Sequence, residues 1–224
     1  ILHPPDKQKY GEEIKRSTDV KPECIFDGSK LRDPQVINAI QSLKPDIGLS
    51  ILFGYILRSG FLSLFPQGCI NLHPAFLPYN RGTYPNVWSI IDSTPAGATI
   101  HYIDEKIDTG DIINQKEVDV TPVDTGLSLY RKLEKSSLSL FKETWPSIRS
   151  GNAKRIPQKK TVGTCHRTKD VKNIDEIDLD KTYSGRELIN RIRARTFPPF
   201  DGAYFRHNGD KIYLRLQLLH EDEL

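Results

Sequence analysis

An amide and an imidazole stand two residues apart in this sequence, at the end of a short apolar run. They are Asn71 and His73 in CINLHPAFLPYNRG, residues 69–82, where Pro74 ends the run. Residues two apart in a β-strand point to the same face, so both side chains could converge on one small reacting group. An amide donor can bind a carbonyl oxygen that becomes negatively charged, and an imidazole can take up a proton near neutral pH. The alternative is that both side chains only cap the end of the strand.

A second segment, HYIDEKIDTGD at residues 101–111, offers an acidic partner for such a site. Its strand is expected beside residues 68–73, so the Asp108 carboxylate could reach His73 and raise the pKa of the imidazole. We interpret His101, on the strand before it, as a structural or supporting group. The segment also contains three other carboxylates that could simply be solvated turn groups: Asp104, Glu105 and Asp111. The same interpretation is open for Asp108.

Several cationic and aromatic residues could bind an anionic, ring-containing substrate. Arg81, between Asn80 and Gly82, could clamp a phosphate because a guanidinium binds phosphate bidentately; the alternative is an ordinary surface loop. Tyr84 and Trp88 could stack on a ring, although a tryptophan in this position is also typical of a core. The late helix carries a basic face that could attract an anion or be merely solvated: Arg186, Arg191, Arg193 and Arg195.

The elements that must position these residues predict an open α/β domain. Residues 1–31 are predicted as loop with a possible strand at 23–26, and the nearly all-apolar run 47–53 is predicted as a strand buried on both faces. Asp33 and Pro34 are typical of a helix start, and Pro146 should kink or shorten the long helix. The predicted elements are helices from 34 to before 45, from 83 or 84 to about 93 and at 125–150, and strands at 47–53, 68–73, 98–103 and 111–120.

The carboxy-terminal part of the chain predicts a small separate unit. Residues 151–181 are polar with little periodicity and are interpreted as a linker between a catalytic domain, residues 1–150, and residues 182–224. Ser184 and Glu187 form a capping-box pattern that opens a helix to about residue 196, with Leu188, Ile189 and Ile192 inward. Strands at 203–205 and 211–218 surround an Asn-Gly-Asp turn, a strong hairpin signal.

Composition excludes several classes of protein. The 224 residues carry a formal charge of +3, which permits an anionic substrate without requiring nucleic acid, and no stretch is apolar enough to span a membrane. The three cysteines show no metal-ligand spacing, so we expect free thiols, a cytoplasmic setting and no metal. The sequence has no Met and opens on a polar segment. We therefore expect residues to be missing from it: an amino-terminal strand and helix, together with methionines.

The segments INLHPAFLPYNRG, ATIHYID and IDTGDII, in this order, resemble the N10-formyltetrahydrofolate-dependent formyltransferases. The resemblance runs from about residue 5 to 120 and returns in RIRARTFPPFDGAYF at residues 192–205. Where this family usually has H-P-S-L-L-P, the present sequence has HPAFLP from His73, a departure that could shape the acceptor pocket.

The resemblance implies an open Rossmann-like domain and assigns roles by motif position. The catalytic Asn, His and Asp fall on Asn71, His73 and Asp108. The folate pterin would lie against the loop after residues 47–53 and against the segment that follows the strand at 98–103: Phe53, Gly54, Tyr55, Ile56, Leu57, Ile103, Asp104, Lys106 and Ile107. The acceptor would lie near the loop after His73 and the following helix: Phe76, Tyr79, Asn80, Arg81, Gly82, Tyr84 and Trp88.

Within this family the short carboxy-terminal part looks most like a sugar N-formyltransferase. Such an enzyme formylates a nucleotide-linked amino sugar, for example dTDP-4-amino-4,6-dideoxyglucose, for O-antigen or related glycan synthesis. In this subgroup the carboxy-terminal hairpin commonly forms a homodimer. A methionyl-tRNA formyltransferase with a reduced carboxy-terminal domain is one alternative, and an inactive folate or nucleotide-sugar binding module is another.

Overall fold

The amino-terminal elements belong to the first of two units into which the chain divides. The structure, a computed structural model, describes residues 1–4, 7, 10–159 and 161–223. The first unit comprises Ile1–Asn71 and Tyr102–Lys106. Its helices and strands are α1 (Gly11–Arg16), α2 (Pro34–Ser42), β1 (Gly48–Ile51), α3 (Ser59–Leu62) and most of β2 (Cys69–His73).

The cap of α2 confirms the predicted helix start. The Asp33 side chain accepts a hydrogen bond from the Gln35 amide, and Pro34 occupies the first helical position. By contrast, the predicted strand at residues 23–26 is wrong, because Pro22–Cys24 form a 3₁₀ turn closed by a bond from the Ile25 amide to the Pro22 carbonyl. The helix α1 was not predicted either, since it lacks an apolar stripe of any length.

The strand β1 is shorter than predicted and is not buried on both faces. Its burial alternates along the strand, with Leu49 43% and Ile51 51% exposed. The prediction was wrong because a short apolar run does not distinguish a strand covered on one face from a strand covered on two. The inner side of this unit packs into an apolar cluster of Ile40, Leu57, Phe61, Phe65 and Cys69.

The second unit comprises Leu72–His101 and Ile107–Leu224 and contains the remaining elements. In chain order these are β3 (Arg81–Gly82), α4 (Pro85–Ile91), β4 (Ala96–Tyr102), β5 (Ile112–Val118), α5 (Gly126–Arg149), β6 (Cys165–His166), α6 (Lys172–Asp175), α7 (Gly185–Arg195), β7 (Tyr204–His207) and β8 (Asp210–Tyr213). The mixture of helices and strands confirms the predicted α/β class.

The long helix α5 begins with a complete capping box. The Thr125 side chain accepts from the Ser128 amide, and the Ser128 hydroxyl accepts from the Thr125 amide. Pro146 does not end the helix, which continues to Arg149. A proline this close to the carboxyl end removes few intrahelical bonds, so it is tolerated there.

The core of the second unit joins its helices through buried apolar side chains. Val87, Trp88 and Ile90 of α4 pack in one cluster with Leu129 and Leu133 of α5. Further members come from β4 and from the segment after residue 170: Ala96, Val171, Ile174 and Ala194.

The strands β1, β2, β4 and β5 follow one another in this order in one sheet, and β4 pairs antiparallel with β5. The register of that pair shifts between Ile100, opposite Asn114, and His101, opposite Ile112. Such a bulge bends a strand and re-aims the side chain beside it. Here the extra residue is Ile113 of β5, and His101 is the first residue of β4 after the shift.

The segment 151–181 contains more structure than its polar composition indicated. The strand β6 pairs in parallel with β3, with Arg81 opposite Cys165 and Gly82 opposite His166. The helix α6 contributes Ile174 to the core. Alternating or helical apolar patterns cannot reveal such an element, because a two-residue strand is too short to show a period.

The carboxy-terminal helix and hairpin form, but the second strand ends at Tyr213 rather than at the predicted residue 218, and two further corrections concern the helix. Ser184 caps α7 and the hairpin β7–β8 turns at Asn208 and Gly209, which both have positive φ angles. Ile189, predicted to point inward, is 45% exposed. The predicted basic face does not form, because Arg193 is buried, where its Nη1 donates to backbone carbonyls at residues 121, 122 and 124, and Arg195 pairs with Asp175.

Within the part of the chain that the structure describes, no helix has both the length and the apolar character of a membrane span. Its three cysteines, Cys24, Cys69 and Cys165, are free thiols. Burial raises the pKa of the Cys69 thiol to about 12. The described residues also contain no group of His, Cys, Asp and Glu that could hold a metal ion.

Candidate active site

The strand β2 carries both polar residues of the predicted centre. Asn71 is half-buried, and His73 is 6% exposed. The boundary between the two units falls within β2, so Asn71 belongs to the first unit and His73 to the second. The strand geometry that the sequence predicted therefore holds, and the two residues are separated by Leu72 alone. The site below is described from the second unit, which contains His73 and its contacts.

The imidazole of His73 has an acceptor on each side of Nε2. The Asn80 carbonyl oxygen lies 3.2 Å away and the Asp108 Oδ2 lies 3.6 Å away. Because both neighbours can only accept, a neutral His73 carries its hydrogen on Nε2. Its Nδ1 is then the unprotonated nitrogen, and it is this atom that can take a proton from a substrate.

Burial lowers the pKa of His73 below its usual value, and His101 lowers it too. Asp108 and the Asn80 carbonyl act in the opposite direction but do not compensate. The sequence analysis expected Asp108 to raise the pKa of His73; its contribution has that sign, yet the net shift is downward because the ring is removed from water. His73 is consequently neutral at pH 7 and ready to act as a base.

The Asp108 carboxylate is shared by two imidazoles and one backbone amide. Its Oδ2 accepts from the Gly82 amide at 2.8 Å, and its Oδ1 lies 3.5 Å from His101 Nε2. Burial alone would raise the pKa of Asp108, but the hydrogen bond from His101, the electrostatic interaction with His73 and the Gly82 amide lower it to about 2. Asp108 is therefore ionised at every pH at which the protein would work.

The rings of His73 and His101 meet edge to face, with centroids 6.3 Å apart and an angle of 89°. His101 is 1% exposed and was interpreted from the sequence as a structural or supporting group. Its Nε2 approaches Oδ1 of Asp108, whereas His73 approaches Oδ2, so the two rings hold both oxygens of the carboxylate.

The guanidinium of Arg81 is held within the protein, which differs from the predicted phosphate clamp. Its Nε donates to the Asp108 carbonyl at 3.2 Å, and its Nη2 donates to Gln158 Oε1 at 2.6 Å. Gln158 in turn donates to the carbonyls of Asp108 and Gly110. Sequence reasoning missed Gln158, because a single glutamine in a polar segment carries no periodic or spacing signal.

Two further residues predicted to contact the acceptor have internal partners instead. The Asn80 side chain is completely buried and donates to Ser89 and Thr94, while it accepts from Thr164. Asn80 contributes to the site only through its backbone carbonyl, which lies 3.2 Å from His73 Nε2. Trp88 is 6% exposed and stacks on His166 at 4.0 Å and 7°, so its ring belongs to the core.

The remaining residues of the predicted acceptor site also belong to the second unit, and their role in binding stays a prediction. Tyr84 is 41% exposed and has a left-handed backbone at φ 58° just before α4, while Phe76, Tyr79 and Gly82 are half-buried. At Gly82 the φ angle is +90°, and an added Cβ would lie 2.2 Å from the His166 carbonyl oxygen. Only glycine fits this position.

The loop predicted to hold the pterin lies in the first unit and contains exposed apolar surface. Phe53 stacks on His3 at 5.0 Å, and the Gly54 amide donates to His3 Nε2 at 3.0 Å. Ile56 is 62% exposed, whereas Leu57 is buried in the core, so its side chain is not available to a ligand. Tyr55 packs against both aromatic rings, at 5.5 Å.

The second predicted folate segment begins in the same unit. Ile103 packs against the apolar cluster there, and the Ile103 amide donates to the Cys69 carbonyl. The Asp104 carboxylate accepts from the Lys106 amide at 3.0 Å, which closes a turn. Ile107, 47% exposed, belongs to the second unit.

Comparison with known proteins identifies the family to which this chain belongs. Residues 5–144 match the formyl transferase family, and residues 170–220 match the N-formyltransferase dimerization C-terminal domain. A methionyl-tRNA formyltransferase of Bacillus pumilus is 32% identical over 216 residues, which cover 93% of this chain and 67% of that protein. A dTDP-4-amino-4,6-dideoxyglucose formyltransferase of Mycobacterium tuberculosis is 37% identical over 152 residues, 67% of this chain and 64% of that protein. The chain thus spans about two thirds of the length of these relatives.

Solved structures give the same result for the fold. A 4-N formyltransferase from Francisella tularensis superimposes with a TM-score of 0.80 at 36% identity, covering 94% of this chain and 82% of that one. The formyltransferase PseJ from Anoxybacillus kamchatkensis, solved with UDP-4,6-dideoxy-4-formamido-L-AltNAc and tetrahydrofolate, gives a TM-score of 0.60 at 34% identity over 77% of this chain and 87% of that one. The predicted Rossmann-like formyltransferase fold is therefore confirmed, and the family match over more than half of the chain shows that this chain belongs to the formyl transferase family.

Proposed function

We propose that this protein transfers a formyl group from N10-formyltetrahydrofolate to the amine of a nucleotide-linked amino sugar, such as dTDP-4-amino-4,6-dideoxyglucose. The observation that carries the proposal is the contact of the neutral, buried His73 with the ionised Asp108, in a chain of the formyl transferase family. A folate co-substrate is supported by PseJ with tetrahydrofolate. A nucleotide sugar is supported by that complex and by the Mycobacterium relative.

The residues of the site fit the two substrates in a specific way. Ile56 presents exposed apolar surface that a pterin ring could cover, and the aromatic rings of Phe53 and Tyr55 stiffen the loop around it. Backbone amides of such a loop could bind the polar edge of the pterin. On the acceptor side we propose Tyr84 and Tyr79 as the groups that contact the sugar nucleotide, with Phe76 and Gly82 shaping the pocket.

In this mechanism the folate supplies the formyl group, and His73 manages the proton of the acceptor. As the amine nitrogen bonds to the formyl carbon, its proton passes to His73 Nδ1, and the ring becomes an imidazolium. Asp108 is already ionised beside Nε2, so it stabilises that cation as it forms. The proton then leaves His73 for the folate nitrogen that the formyl carbon departs from, which restores the neutral ring and releases tetrahydrofolate.

Asn71 is proposed to bind the formyl oxygen while it carries negative charge. A single amide donor of this kind typically contributes roughly 2.7 to 4 kcal/mol to the stability of the transition state. The protonated His73 Nδ1 can donate to the same oxygen, since residues two apart on β2 share a face. The amide and imidazole therefore act in sequence on one carbonyl group.

A methionyl-tRNA formyltransferase is the second candidate, because the Bacillus pumilus enzyme covers 93% of this chain. We favour the sugar substrate on two grounds. The carboxy-terminal match is to the N-formyltransferase dimerization domain, and the structural match to the 4-N formyltransferase, with a TM-score of 0.80, is closer than that to a methionyl-tRNA formyltransferase from Clostridium thermocellum, with 0.67. An inactive binding module would have no need of a buried His73 oriented by Asp108.

A direct assay distinguishes these candidates. The protein is incubated with N10-formyltetrahydrofolate and a panel of dTDP- and UDP-linked amino sugars, and mass spectrometry detects the addition of a formyl group. Formylation of at least one sugar supports the proposal. Formylation of charged initiator tRNA with no sugar product would replace it by the second candidate, and binding of nucleotide sugars without any product would indicate a binding module.

We also propose that the protein forms a homodimer through the hairpin β7–β8. The support is the match of residues 170–220 to a dimerization domain and the exposure of Ile212 (43%) and Tyr213 (44%) on β8. Light scattering should give a molar mass twice that of the monomer. The substitution Ile212→Asp should reduce the molar mass to that of a monomer. A monomer at micromolar concentration in the unsubstituted protein would contradict this proposal.

The product is proposed to enter O-antigen or a related glycan in the cytoplasm. This follows from the type of sugar and from the resemblance described above. Mass analysis of surface glycans from cells with and without the protein should show a formamido sugar that depends on it. Identical glycans in both would contradict this role and leave the enzymatic reaction unaffected.

A further inference from the structure

The side chain of Gln158 uses its whole hydrogen-bonding capacity at the loop that carries Asp108. Its Oε1 accepts from Arg81 Nη2 at 2.6 Å and from Arg81 Nε at 3.2 Å. Its Nε2 donates to the carbonyls of Asp108 at 2.9 Å and Gly110 at 2.8 Å. Arginine can only donate and a carbonyl can only accept, so the partners fix which end of the amide is which.

These bonds act on a residue whose backbone is in an unfavourable conformation. Asp108 has a φ angle of +51°, in the left-handed region that residues with a side chain seldom adopt. Its carbonyl oxygen accepts both from Gln158 Nε2 and from Arg81 Nε at 3.2 Å. Because the Arg81 guanidinium also donates to Gln158 Oε1, the three residues form a closed ring of hydrogen bonds around the Asp108 peptide.

The direction of the Asp108 carboxylate depends on this peptide. Rotation of the backbone away from positive φ would carry Oδ2 away from His73, 3.6 Å distant, and away from the Gly82 amide at 2.8 Å. Nothing in the Gln158 side chain reaches His73 or the carboxylate itself. Its effect on the reaction would therefore be exerted only through the loop.

We propose that Gln158 is a positioning residue for formyl transfer, which holds the Asp108 peptide and the Arg81 guanidinium so that the carboxylate stays against His73. This inference rests on the function proposed above. It assigns a role to a residue outside the motifs of the site, in the segment that the sequence analysis interpreted as a linker.

Two substitutions separate the donor and acceptor sides of the amide. Gln158→Glu keeps an acceptor for Arg81 but places a carboxylate oxygen against two carbonyls, whereas Gln158→Leu removes every bond. Both should lower kcat about 10- to 100-fold, because small displacements of a catalytic group have effects of this size. The KM for each substrate should change less than about threefold, since Gln158 contributes nothing to substrate binding. Gln41→Glu, an exposed glutamine of α2, is the matched control and should leave kcat unchanged.

A second measurement does not depend on activity. In amide NMR spectra the Gly82 proton, which donates to the Asp108 carboxylate, should move upfield in Gln158→Leu, while the amides of α5 stay in place. If the unsubstituted protein formylates none of the sugars, the proposed reaction fails, but the Gly82 resonance still reports on the position of Asp108.

Three results would overturn the positioning role. One is a kcat of Gln158→Leu within about twofold of the unsubstituted protein. Another is a Gly82 resonance that does not move. The third is loss of cooperative unfolding in both variants, which would make Gln158 a general stabilising residue instead.

Discussion

The backbone amide of Gly82 donates a 2.8 Å hydrogen bond to the carboxylate of Asp108. Gly82 lies in β3, whose parallel partner β6 places His166 opposite it. The carboxylate beside the His73 imidazole is thus held by a strand pair of only two residues on each side. A hydrogen bond to an ionised carboxylate is stronger than one to a neutral acceptor. The short pairing of β3 with β6 therefore helps to hold Asp108 in place.

Gly82→Ala should be among the most damaging small substitutions in the second unit. The added Cβ would lie 2.2 Å from the His166 carbonyl oxygen and the residue would keep a φ of +90°. We expect a loss of about 3 kcal/mol in the free energy of unfolding, measured by urea denaturation. Gly209→Ala is the control, because Gly209 has a similar φ of +91° but an added Cβ would have no atom within 4 Å. This substitution should lower the free energy of unfolding by about 1 kcal/mol. Equal losses would mean that the contact with β6 is unimportant.

His73→Asn should separate catalysis from binding. It removes the base but keeps a polar side chain, so turnover should fall roughly 10²- to 10⁴-fold while the affinity for the nucleotide sugar stays near normal. Turnover is measured in the formylation assay and affinity by calorimetry, with the exposed His220→Asn as a control. A parallel loss of turnover and affinity would show that His73 is structural.

The pH dependence of kcat should follow the lowered pKa of His73. A base is active in its neutral form, so kcat should be constant around pH 7 and fall as the pH drops through the pKa of the ring. Because burial lowers that pKa, the midpoint should lie below the usual histidine value of 6.5. A midpoint above 6.5 in kcat measurements across the acid range would contradict this assignment.

Asp108→Asn should cost stability in a pH-dependent way. The pKa of Asp108 is about 2 in the folded protein and 3.8 in the unfolded reference, so its ionised form stabilises the fold above pH 3.8 and this contribution is lost as the pH falls toward 2. At pH 7 the substitution should lower the free energy of unfolding by about 2 kcal/mol, and at pH 3 by about half as much. Asp111→Asn, a more exposed neighbour, should show neither effect. A cost that is independent of pH would indicate lost packing rather than lost charge.

Much of the reacting centre could be predicted from the sequence because its signals are local. The spacing of Asn71 and His73 on a strand and the position of Asp108 after the next strand were sufficient to expect that the imidazole and carboxylate meet. The caps at Asp33 and Ser184 are likewise short-range patterns. The Asn71–His73 spacing and the caps depend on residues within four positions of one another, where backbone geometry alone fixes the neighbours, whereas Asp108 was placed by the expected pairing of its strand.

The supports of the centre could not be predicted, since they come from distant parts of the chain. Gln158 lies 50 residues from Asp108, and Thr164, which binds the Asn80 backbone, lies 84 residues from Asn80. Neither has an apolar period or a motif. The direction of the pKa shift of His73 also depended on burial of the ring, which no pattern of residue types around it expresses.

The return of residues 158–166 to the site has a consequence for protein engineering. A chimera that joins the first 150 residues to another enzyme's carboxy-terminal part would carry Asn71, His73 and Asp108 but would exchange Gln158, Thr164 and the partner strand of Gly82 for foreign ones. We expect such hybrids to retain activity when the junction is placed after residue 166 and to lose most of it when the junction is placed at 150. The part of the chain that can be exchanged as a unit therefore extends beyond the residues of the motifs. Its boundary lies after residue 166, within the polar segment 151–181, rather than at residue 150.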